Sequence, residues 1–292
     1  MKVLNFGSLN IDLTFKVPHM VREGETLSST GLTRGAGGKG ANQSAAIAKA
    51  GVKVYHAGKI GADGQFLIDQ LRSYGVNTDL VTIWDGPSGQ AIIQLDESGR
   101  NCIILLGGGN KAIEKEEIDR ALSSFEKGDY LVLQNEINNI DYLMRRAAEK
   151  GMHILFNPAP FDESVFALPL ELVDIIVVNE TEGQGLAGLQ NGDFETILKA
   201  LVAKYPASEI ILTAGDKGSY YGCRDRLFYE PIIPVKAEDT TGAGDTFIGF
   251  FLASKLLGFA PEESLKHATK ASSIAVSRKG AMVAIPFKDE VF

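Results

Sequence analysis

The stretch "DTTGAGDTF", residues 239–247, is the clearest candidate for a reactive site in the sequence. Gly242, Ala243 and Gly244 offer successive backbone N–H groups at the predicted start of a long helix, where the helix dipole adds positive potential. Such a nest binds anions and can stabilise the charge that grows on a transferring phosphoryl group. Asp245 follows directly, where a carboxylate with a depressed pKa could still accept a hydroxyl proton. The alternative role of Asp245 is simply to complement the helix dipole.

A second glycine cluster, "RGAGGKGANQ" at residues 34–43, contains the spacing G-x-G-x-x-G through Gly35, Gly37 and Gly40. A dinucleotide loop would follow the first strand and carry an acid about 20 residues later, and neither condition is met. A Walker-type triphosphate loop would have serine or threonine after its lysine, where this chain has glycine. The glycines instead let a ligand touch the backbone, and Asn42 adds a donor and an acceptor. These features favour a polyhydroxylated ligand, with a plain strand-to-helix turn as the alternative.

Three further fragments stand at predicted strand or helix ends. In "NETE", Asn179 and Glu182 are one helical turn apart and could orient phosphate oxygens and Mg²⁺-bound waters. "TAGDKG", residues 213–218, ends a strand with a glycine turn able to lie against a nucleotide, since open α/β sheets bind ligands at strand carboxyl ends. "AVSRKGA", residues 275–281, ends a helix with carbonyls suited to a cation or phosphate. Each fragment alone is more often an ordinary turn.

The elements that must position these fragments are short β-branched runs alternating with amphipathic helical patterns, which predict a parallel sheet with crossover helices. The predicted core strands are Val3–Phe6, Lys53–Lys59, Tyr130–Gln134, His153–Asn157, Ile175–Val178 and Glu209–Thr213. The predicted helices are Gly40–Ala50, Gly64–Tyr74, Lys115–Phe125, Asp141–Lys150, Thr196–Lys204, Asp245–Leu257 and Pro261–Val276.

Two stretches interrupt this alternation. Residues 11–34 contain extended segments with no helix between them, and residues 90–106 form a predicted hairpin with its turn at residues 97–100. We predict that they form a small separate sheet, a lid or an interface, with a simple insertion loop as the alternative. The predicted division is therefore a core of residues 1–10, 35–89 and 107–292 and a β lid of residues 11–34 and 90–106.

The bulk composition excludes several classes of protein. The 292-residue chain carries a formal net charge of −8, which argues against a general nucleic-acid surface. Its two cysteines, Cys102 and Cys223, are far apart in sequence and indicate neither a disulfide framework nor a zinc cluster. The N-terminus reads as a strand rather than a signal peptide, and no apolar run reaches membrane-spanning length. We expect a cytoplasmic protein that binds no membrane.

The motifs and their order resemble the ribokinase-like carbohydrate kinase family over nearly the whole chain. The stretches that carry the resemblance are "GSLNID" (7–12), "GGKGANQ" (37–43), "GRN" (99–101), "NPAP" (157–160), "NETE", "TAGDKG", "DTTGAGDTF" and "AVSRKGA". The resemblance implies a three-layer α/β/α core with a mainly parallel sheet, a small β-sheet lid, and a homodimer in which the lids clasp each other. It also implies an ATP-dependent kinase that phosphorylates a sugar's primary hydroxyl, with conversion of D-ribose to D-ribose 5-phosphate as the expected reaction.

The resemblance further implies site residues, by position. The sugar would be bound by Asn10, Asp12, Gly38, Lys39, Asn42 and Glu136, with Asp245 as catalytic base and Gly242, Ala243 and Gly244 as the anion hole. ATP would be bound by Asn179, Thr213, Gly215, Gly218, Gly244 and Thr269. K⁺ would be held by Asp239, Thr241, Ala275, Arg278 and Gly280, largely through carbonyls, and Glu182 would hold Mg²⁺ through water. Ala284 stands where serine is typical, so one cation-site oxygen is missing.

Three alternatives stay open. The acceptor could be a nucleoside, fructose or another sugar, although Asp12, Asn42 and Glu136 favour a small polyol. The chain could be a non-catalytic sugar-binding protein, against which the intact Asp245 and its glycine nest argue. A dinucleotide-dependent oxidoreductase would depend on the glycine spacing of residues 35–40 alone.

Overall fold

The computed structural model describes all residues, Met1–Phe292, which form thirteen strands and nine α-helices. The strands are β1 Val3–Phe6, β2 Asn10–Lys16, β3 Gly31–Gly37, β4 Val54–Gly61, β5 Asn77–Trp84, β6 Gly89–Leu95, β7 Asn101–Leu106, β8 Tyr130–Gln134, β9 His153–Asn157, β10 Ile175–Asn179, β11 Glu209–Thr213, β12 Ser219–Cys223 and β13 Arg226–Glu230. The helices are α1 Lys39–Lys49, α2 Gln65–Ser73, α3 Lys115–Leu122, α4 Ile140–Glu149, α5 Glu180–Ala187, α6 Phe194–Lys204, α7 Ala243–Leu256, α8 Pro261–Val276 and α9 Lys288–Val291.

The large sheet has nine strands in the order β13-β12-β11-β10-β9-β8-β1-β4-β5. Its first seven strands in sequence pair in parallel, and β12 and β13 add an antiparallel edge. Strands β1 and β8 are buried on both faces because helices cover both sides of the sheet. The prediction of a three-layer, mainly parallel α/β fold is confirmed. Strands β5, β12 and β13 were not predicted, and the predicted strand Lys53–Lys59 runs instead over Val54–Gly61.

Two hydrophobic clusters fill the space between the layers. On one face, α1, α2, α7 and α8 pack on the sheet through residues such as Ile47 and Phe250. On the other face, α3, α4, α5 and α6 contribute residues such as Ile118 and Leu143. Helices α1 and α7 approach closely, since a Cβ on Gly249 would lie 2.3 Å from the Cβ of Ala46. This close packing aligns the two helices that begin at the two glycine clusters.

The second sheet has four strands in the order β3-β2-β6-β7. Strand β2 pairs antiparallel with β3 and parallel with β6, and β7 closes the β6 hairpin as the outer strand. The predicted small separate sheet is therefore confirmed. Its strands extend beyond the predicted ranges, because Asn10, residues 35–37 and Gly89 belong to it as well.

None of the nine helices combines the length and apolar character needed to cross a lipid bilayer.

Candidate active site

The two glycine clusters meet at the first turns of α1 and α7. Gly38 precedes α1 with a φ of 96°, and Gly242 precedes α7 with a φ of 74°, a region of backbone conformation that favours glycine. A side chain on Gly38 would also collide with the backbone of Ser8, whose carbonyl oxygen lies 2.8 Å from the position of a Cβ. Across the gap, Asn42 Nδ2 donates a hydrogen bond of 2.9 Å to Asp245 Oδ2. The structure thus places both turns at one site.

Asp245 is the third residue of α7 and is 8% exposed. Its other carboxylate oxygen, Oδ1, accepts a hydrogen bond of 3.0 Å from Gln43 Nε2. Burial raises the pKa of Asp245, although the charge of Lys39 and the amides of Asn42 and Gln43 act in the opposite direction. The expectation of a depressed pKa was wrong, because the helix start is covered by α1 rather than open to solvent. A carboxyl with a raised pKa is a stronger proton acceptor once it is ionised.

Lys39, the first residue of α1, lies among carboxylates. Burial of its ammonium lowers the pKa. Three carboxylates, those of Asp245, Glu136 and Glu182, raise the pKa by more, so the shift is upward overall. The lysine therefore keeps its positive charge in the site.

The predicted sugar-binding carboxylates come from different sheets. Glu136 follows β8 and accepts hydrogen bonds from the Ser8 hydroxyl and, at 3.1 Å, from the backbone N–H of Lys39. Asp12 lies on β2 of the small sheet, where burial and then the charge of Glu136 raise its pKa to about 7. The Asp12 carboxyl lies over Gly37, because a Cβ there would be 2.1 Å from Asp12 Oδ2. A hydroxyl-bearing ligand between these groups would find acceptors on both sides.

Asn10 is held in place by a residue that the sequence did not single out. Asn110 Nδ2 donates to Asn10 Oδ1 at 2.7 Å, and Asn110 Oδ1 accepts from the backbone N–H of Leu9 at 3.0 Å. Gly89 leaves room for this pair, since a Cβ there would lie 2.2 Å from Asn110 Nδ2. The amide nitrogen of Asn10 is thereby left for a ligand.

Two adjoining cavities open beside Asp245. The smaller, about 230 Å³, is lined by both glycine clusters and by β10 and its following turn, through Lys39, Asp245, Gly242, Ala243, Gly244 and Glu182 among others. The larger, about 670 Å³, shares Asn179, Thr213 and Gly244 with the first. It continues past Gly215, Gly218 and Thr269 to the apolar side chains of Ile232, Val235 and Phe247. All the predicted ATP residues therefore lie along one continuous depression, whereas Asn10, Asp12, Asn42 and Glu136 line neither cavity.

Asn179 and Glu182 are joined more closely than the sequence indicated. Asn179 Oδ1 accepts from the N–H of Glu182, and Glu182 Oε2 accepts from the N–H of Asn179, both at 2.9 Å, which forms a capping box for α5. Burial raises the pKa of Glu182. One of the two Glu182 oxygens is used in the cap, so only the other is left for a ligand.

The turns predicted to bind the nucleotide depend on glycine. Gly218 has a φ of 92°, and a Cβ there would lie 2.2 Å from the carbonyl oxygen of Glu230. Gly215 has a φ of 57° and opens the short turn before it. Thr269, on α8, is 5% exposed and shares a hydrogen bond of 3.0 Å with the hydroxyl of Ser219. These residues line one wall of the larger cavity.

The predicted K⁺ residues form a separate cluster. Asp239 Oδ1 accepts from the N–H of Thr241 at 2.9 Å, and its Oδ2 accepts from the N–H of Gly280 at 3.0 Å. Burial raises the pKa of Asp239, but these hydrogen bonds lower it by more. The carboxylate therefore ties the loop before α7 to the loop after α8. The guanidinium of Arg278 turns away and pairs with Glu290.

Four buried polar residues beneath the site were missed as functional candidates: Asn5, Gln43, Gln134 and Asn110. Gln43 closes the recognised motif "GGKGANQ" and Gln134 precedes Glu136 by two residues, so adjacency was the only available signal. Their partners lie far away in sequence, which is why the motifs alone did not identify them.

Comparison with known proteins agrees with this geometry. Residues 1–288 match the family described as pfkB family carbohydrate kinase. A ribokinase of Haemophilus influenzae is 31% identical, with 97% of this chain and 95% of that protein covered. A deoxyribokinase of Salmonella typhimurium is 34% identical, covering 98% and 96% respectively. The structure of Arabidopsis thaliana ribokinase complexed with ribose and ATP has a TM-score of 0.86 at 29% identity, covering 99% and 96%.

The family match spans nearly the whole chain, and the relatives cover it from end to end. Both glycine clusters and the carboxylate between them lie within that match. This chain therefore belongs to the pfkB family of carbohydrate kinases.

Proposed function

We propose that this chain is an ATP-dependent sugar kinase that converts D-ribose to D-ribose 5-phosphate. The observation that carries the proposal is the buried Asp245 carboxylate, which lies at the start of α7 beside the backbone of Gly242–Gly244 and 2.9 Å from Asn42 of the other glycine cluster. A proton acceptor, an anion-binding turn and a hydroxyl-binding turn are the parts that phosphoryl transfer to an alcohol needs.

The acceptor would bind between the small sheet and the start of α1. Asp12 and Glu136 supply carboxylate acceptors for hydroxyl groups, and Asn10 supplies an amide that Asn110 orients. Asn42 Oδ1 is buried without a hydrogen-bond partner, so a sugar hydroxyl would satisfy it. Gly38 and Lys39 would contribute backbone at the floor of this site. The ribokinase name of several relatives supports ribose as the acceptor.

In the transfer, Asp245 takes the proton of the sugar's primary hydroxyl while that oxygen forms a bond to the γ-phosphorus of ATP. The bond from the γ-phosphorus to the β–γ bridging oxygen breaks, and ADP leaves with the electron pair. The N–H groups of Gly242 and Gly244 stabilise the negative charge on the transferred group, whereas that of Ala243 donates to the Thr240 carbonyl at 3.3 Å. Lys39, which lines the smaller cavity and is kept charged by its carboxylate neighbours, offsets the same charge.

ATP would occupy the continuous depression formed by the two cavities. Gly215, Gly218 and Thr269 would contact the base and ribose end, and Asn179 and Thr213 the phosphate end. The apolar lining of the larger cavity, which includes Ile232, Val235 and Phe247, suits a planar base.

Two groups of oxygen atoms, one at Glu182 and one around Asp239, suit the metal ions of this reaction. The free oxygen of Glu182 faces the smaller cavity, where it would hold a water of the Mg²⁺ that accompanies ATP. The ionised Asp239 joins two loops, and Thr241, Ala275, Arg278 and Gly280 would add carbonyls for K⁺. Bound there, the cation would stabilise the loop that leads into the anion hole, although Ala284 lacks the oxygen that serine would supply.

The small sheet, strands β3-β2-β6-β7, would act as the lid and as the dimer interface. Every residue of its outer strand β7 is exposed, and four of these are the apolar residues Ile103, Ile104, Leu105 and Leu106. An apolar outer strand with open hydrogen-bonding groups is a surface that proteins normally cover. A homodimer through this strand would cover it.

The deciding experiment is replacement of Asp245 by asparagine. We expect sugar binding, measured by calorimetry, to persist and ADP release to fall by about 10²–10⁴-fold, the usual contribution of a general base. The matched control is Asp193→Asn, which changes another helix-start aspartate, the cap of α6, outside the site. If the Asp245 variant kept the activity of the Asp193 variant, Asp245 would be left only the role of complementing the helix dipole.

A second acceptor class is favoured by one comparison, since the deoxyribokinase relative is as similar as the ribokinases. Ribose and 2-deoxyribose differ by one hydroxyl, so kcat/KM for the two sugars, with inosine and fructose alongside, distinguishes the candidates. We expect ribose to be preferred, because a site with two carboxylate acceptors leaves one unpaired when a hydroxyl is absent.

A further inference from the structure

A chain of buried amides runs beneath the candidate base. Gln43 Nε2 donates to Asp245 Oδ1 at 3.0 Å, and Gln43 Oε1 accepts from Gln134 Nε2 at 2.7 Å. Gln134 Nε2 also donates to Asn5 Oδ1 at 3.2 Å, and Asn5 Nδ2 donates to the carbonyl oxygen of Gly40 at 2.9 Å. The three amide side chains of Asn5, Gln43 and Gln134 are at most 1% exposed. We call these three residues the amide chain.

The amide chain has a fixed direction. Each link joins an N–H donor to a carbonyl acceptor, so Gln43 cannot reverse its amide without facing Gln134 nitrogen to nitrogen. Reversal would also place the Gln43 carbonyl against the carboxylate of Asp245, which is repulsive and leaves a buried donor unpaired. In this network Gln43 presents its N–H to Asp245.

The hydrogen bonds of the amide chain act on the Asp245 carboxylate rather than on the acceptor site. Asn42 donates to one Asp245 oxygen and Gln43 to the other, so both oxygens act as acceptors, as in the ionised form. Gln43 is completely buried, lines neither of the two cavities and comes from the second turn of α1. The other residues of the amide chain, Asn5 and Gln134, lie on the neighbouring strands β1 and β8, which are buried on both faces.

We propose that Gln43, held by Gln134 and Asn5, is a positioning residue that fixes the orientation of the Asp245 carboxylate and keeps it ionised for proton acceptance. The inference depends on the proposed role of Asp245 as the base. A carboxylate held only by Asn42 could rotate about its side-chain bonds, and small misplacements of a reacting group cost about a hundredfold in rate. The amide chain removes that freedom and opposes the effect of burial on the carboxyl proton.

The test compares Gln43→Met, which keeps the volume but removes the amide, with Gln43→Glu, which keeps the shape but places a second carboxyl beside Asp245. For Gln43→Met we expect kcat to fall about 10- to 100-fold at pH 7, with the KM for sugar within about threefold. We expect the acidic limb of the kcat–pH profile to move upward by about one pH unit, because the carboxylate loses a donor. In Gln43→Glu the limb moves further, since two buried carboxyls repel when ionised.

Ser44→Ala is the matched control, because Ser44 is the next buried polar residue of α1 and bonds to His56 rather than to Asp245. Its pH profile should equal that of the unmodified protein. If circular dichroism shows that Gln43→Met does not fold, the pH limb of the isosteric Gln43→Glu decides the question.

Asp245→Asn, measured in parallel, distinguishes a failure of the proposed base from a failure of the positioning role of Gln43. If Asp245→Asn keeps its turnover, Asp245 is not the base, and the positioning role of Gln43 is overturned as well. If Asp245→Asn is inactive while the folded Gln43 variants keep the normal kcat and acidic limb, only the positioning role is overturned. A change confined to the KM for sugar would also overturn it, because it would assign Gln43 to the acceptor site.

Discussion

The carboxyl of Asp12 should make the unliganded protein less stable as the pH rises from about 4 to 8. Its pKa is raised from the ordinary 3.8 to about 7 by burial and by the charge of Glu136. An acid with a raised pKa in the folded state stabilises folding below its unfolded pKa, and this contribution disappears as the pH rises through the folded pKa. Asp12→Asn removes the titrating group and hence this dependence.

The magnitude follows from the size of the shift. A change from 3.8 to about 7 corresponds to about 4 kcal/mol. This is an upper limit, because the carboxyl is partly exposed and solvent screens it. A chain of 292 residues has an unfolding entropy of about 0.6 kcal/mol/K, so the difference in melting temperature amounts to about 7 °C at most.

The assay is a series of thermal unfolding scans of both proteins without sugar, at intervals between pH 4 and pH 8. We expect Asp12→Asn to gain several degrees on the unmodified protein between about pH 4 and 7, and to keep that gain at higher pH. Glu23→Gln, which removes an exposed charge after β2, is the control and should run parallel to the unmodified protein. A constant difference between Asp12→Asn and the unmodified protein would refute the argument from burial.

Three further predictions test individual contacts. Gly37→Ala would place a methyl group 2.1 Å from the Asp12 carboxyl, so we expect the KM for sugar to rise at least about tenfold in steady-state kinetics. Gly218→Ala would force a left-handed backbone and a 2.2 Å approach to the carbonyl of Glu230, so we expect the KM for ATP to rise with the KM for sugar unchanged. Lys49→Met removes two hydrogen bonds to backbone carbonyls of the segment 282–285, and we expect urea unfolding to show a loss of about 2–4 kcal/mol. An unchanged value in any of these measurements would contradict the contact behind it.

The strands could be predicted from sequence where nearly every residue is apolar and buried. Strands β1, β8, β9 and β11 are apolar runs bounded by turns, and their predicted and observed limits coincide. The missed strands β5 and β13 are the two edge strands of the large sheet, where one side is open and the burial pattern is mixed. Strand β12 lies next to β13 and is mostly buried. The turn between β12 and β13 also lacks a glycine signal, because Arg224 adopts its positive φ of 53°.

The parts of the candidate site that lie within one short motif could be predicted from sequence. The spacing around Gly242 and Asp245 indicated an anion-binding turn with an adjacent carboxylate, and both lie at the start of α7. The direction of the Asp245 pKa shift was wrong, because the helix dipole is a local property whereas burial comes from α1, about 200 residues away in sequence. Gln134 and Asn5 escaped notice for the same reason, since their partners are assembled only by packing of the sheet and helix.

The two carboxylates proposed to bind the acceptor belong to different sheets: Asp12 lies on the four-stranded sheet and Glu136 on the loop after β8 of the nine-stranded one. A small molecule that bound to both Asp12 and Glu136 would therefore link the two sheets. The hydroxyl contacts that distinguish one sugar from another would then also hold the four-stranded sheet against the nine-stranded one.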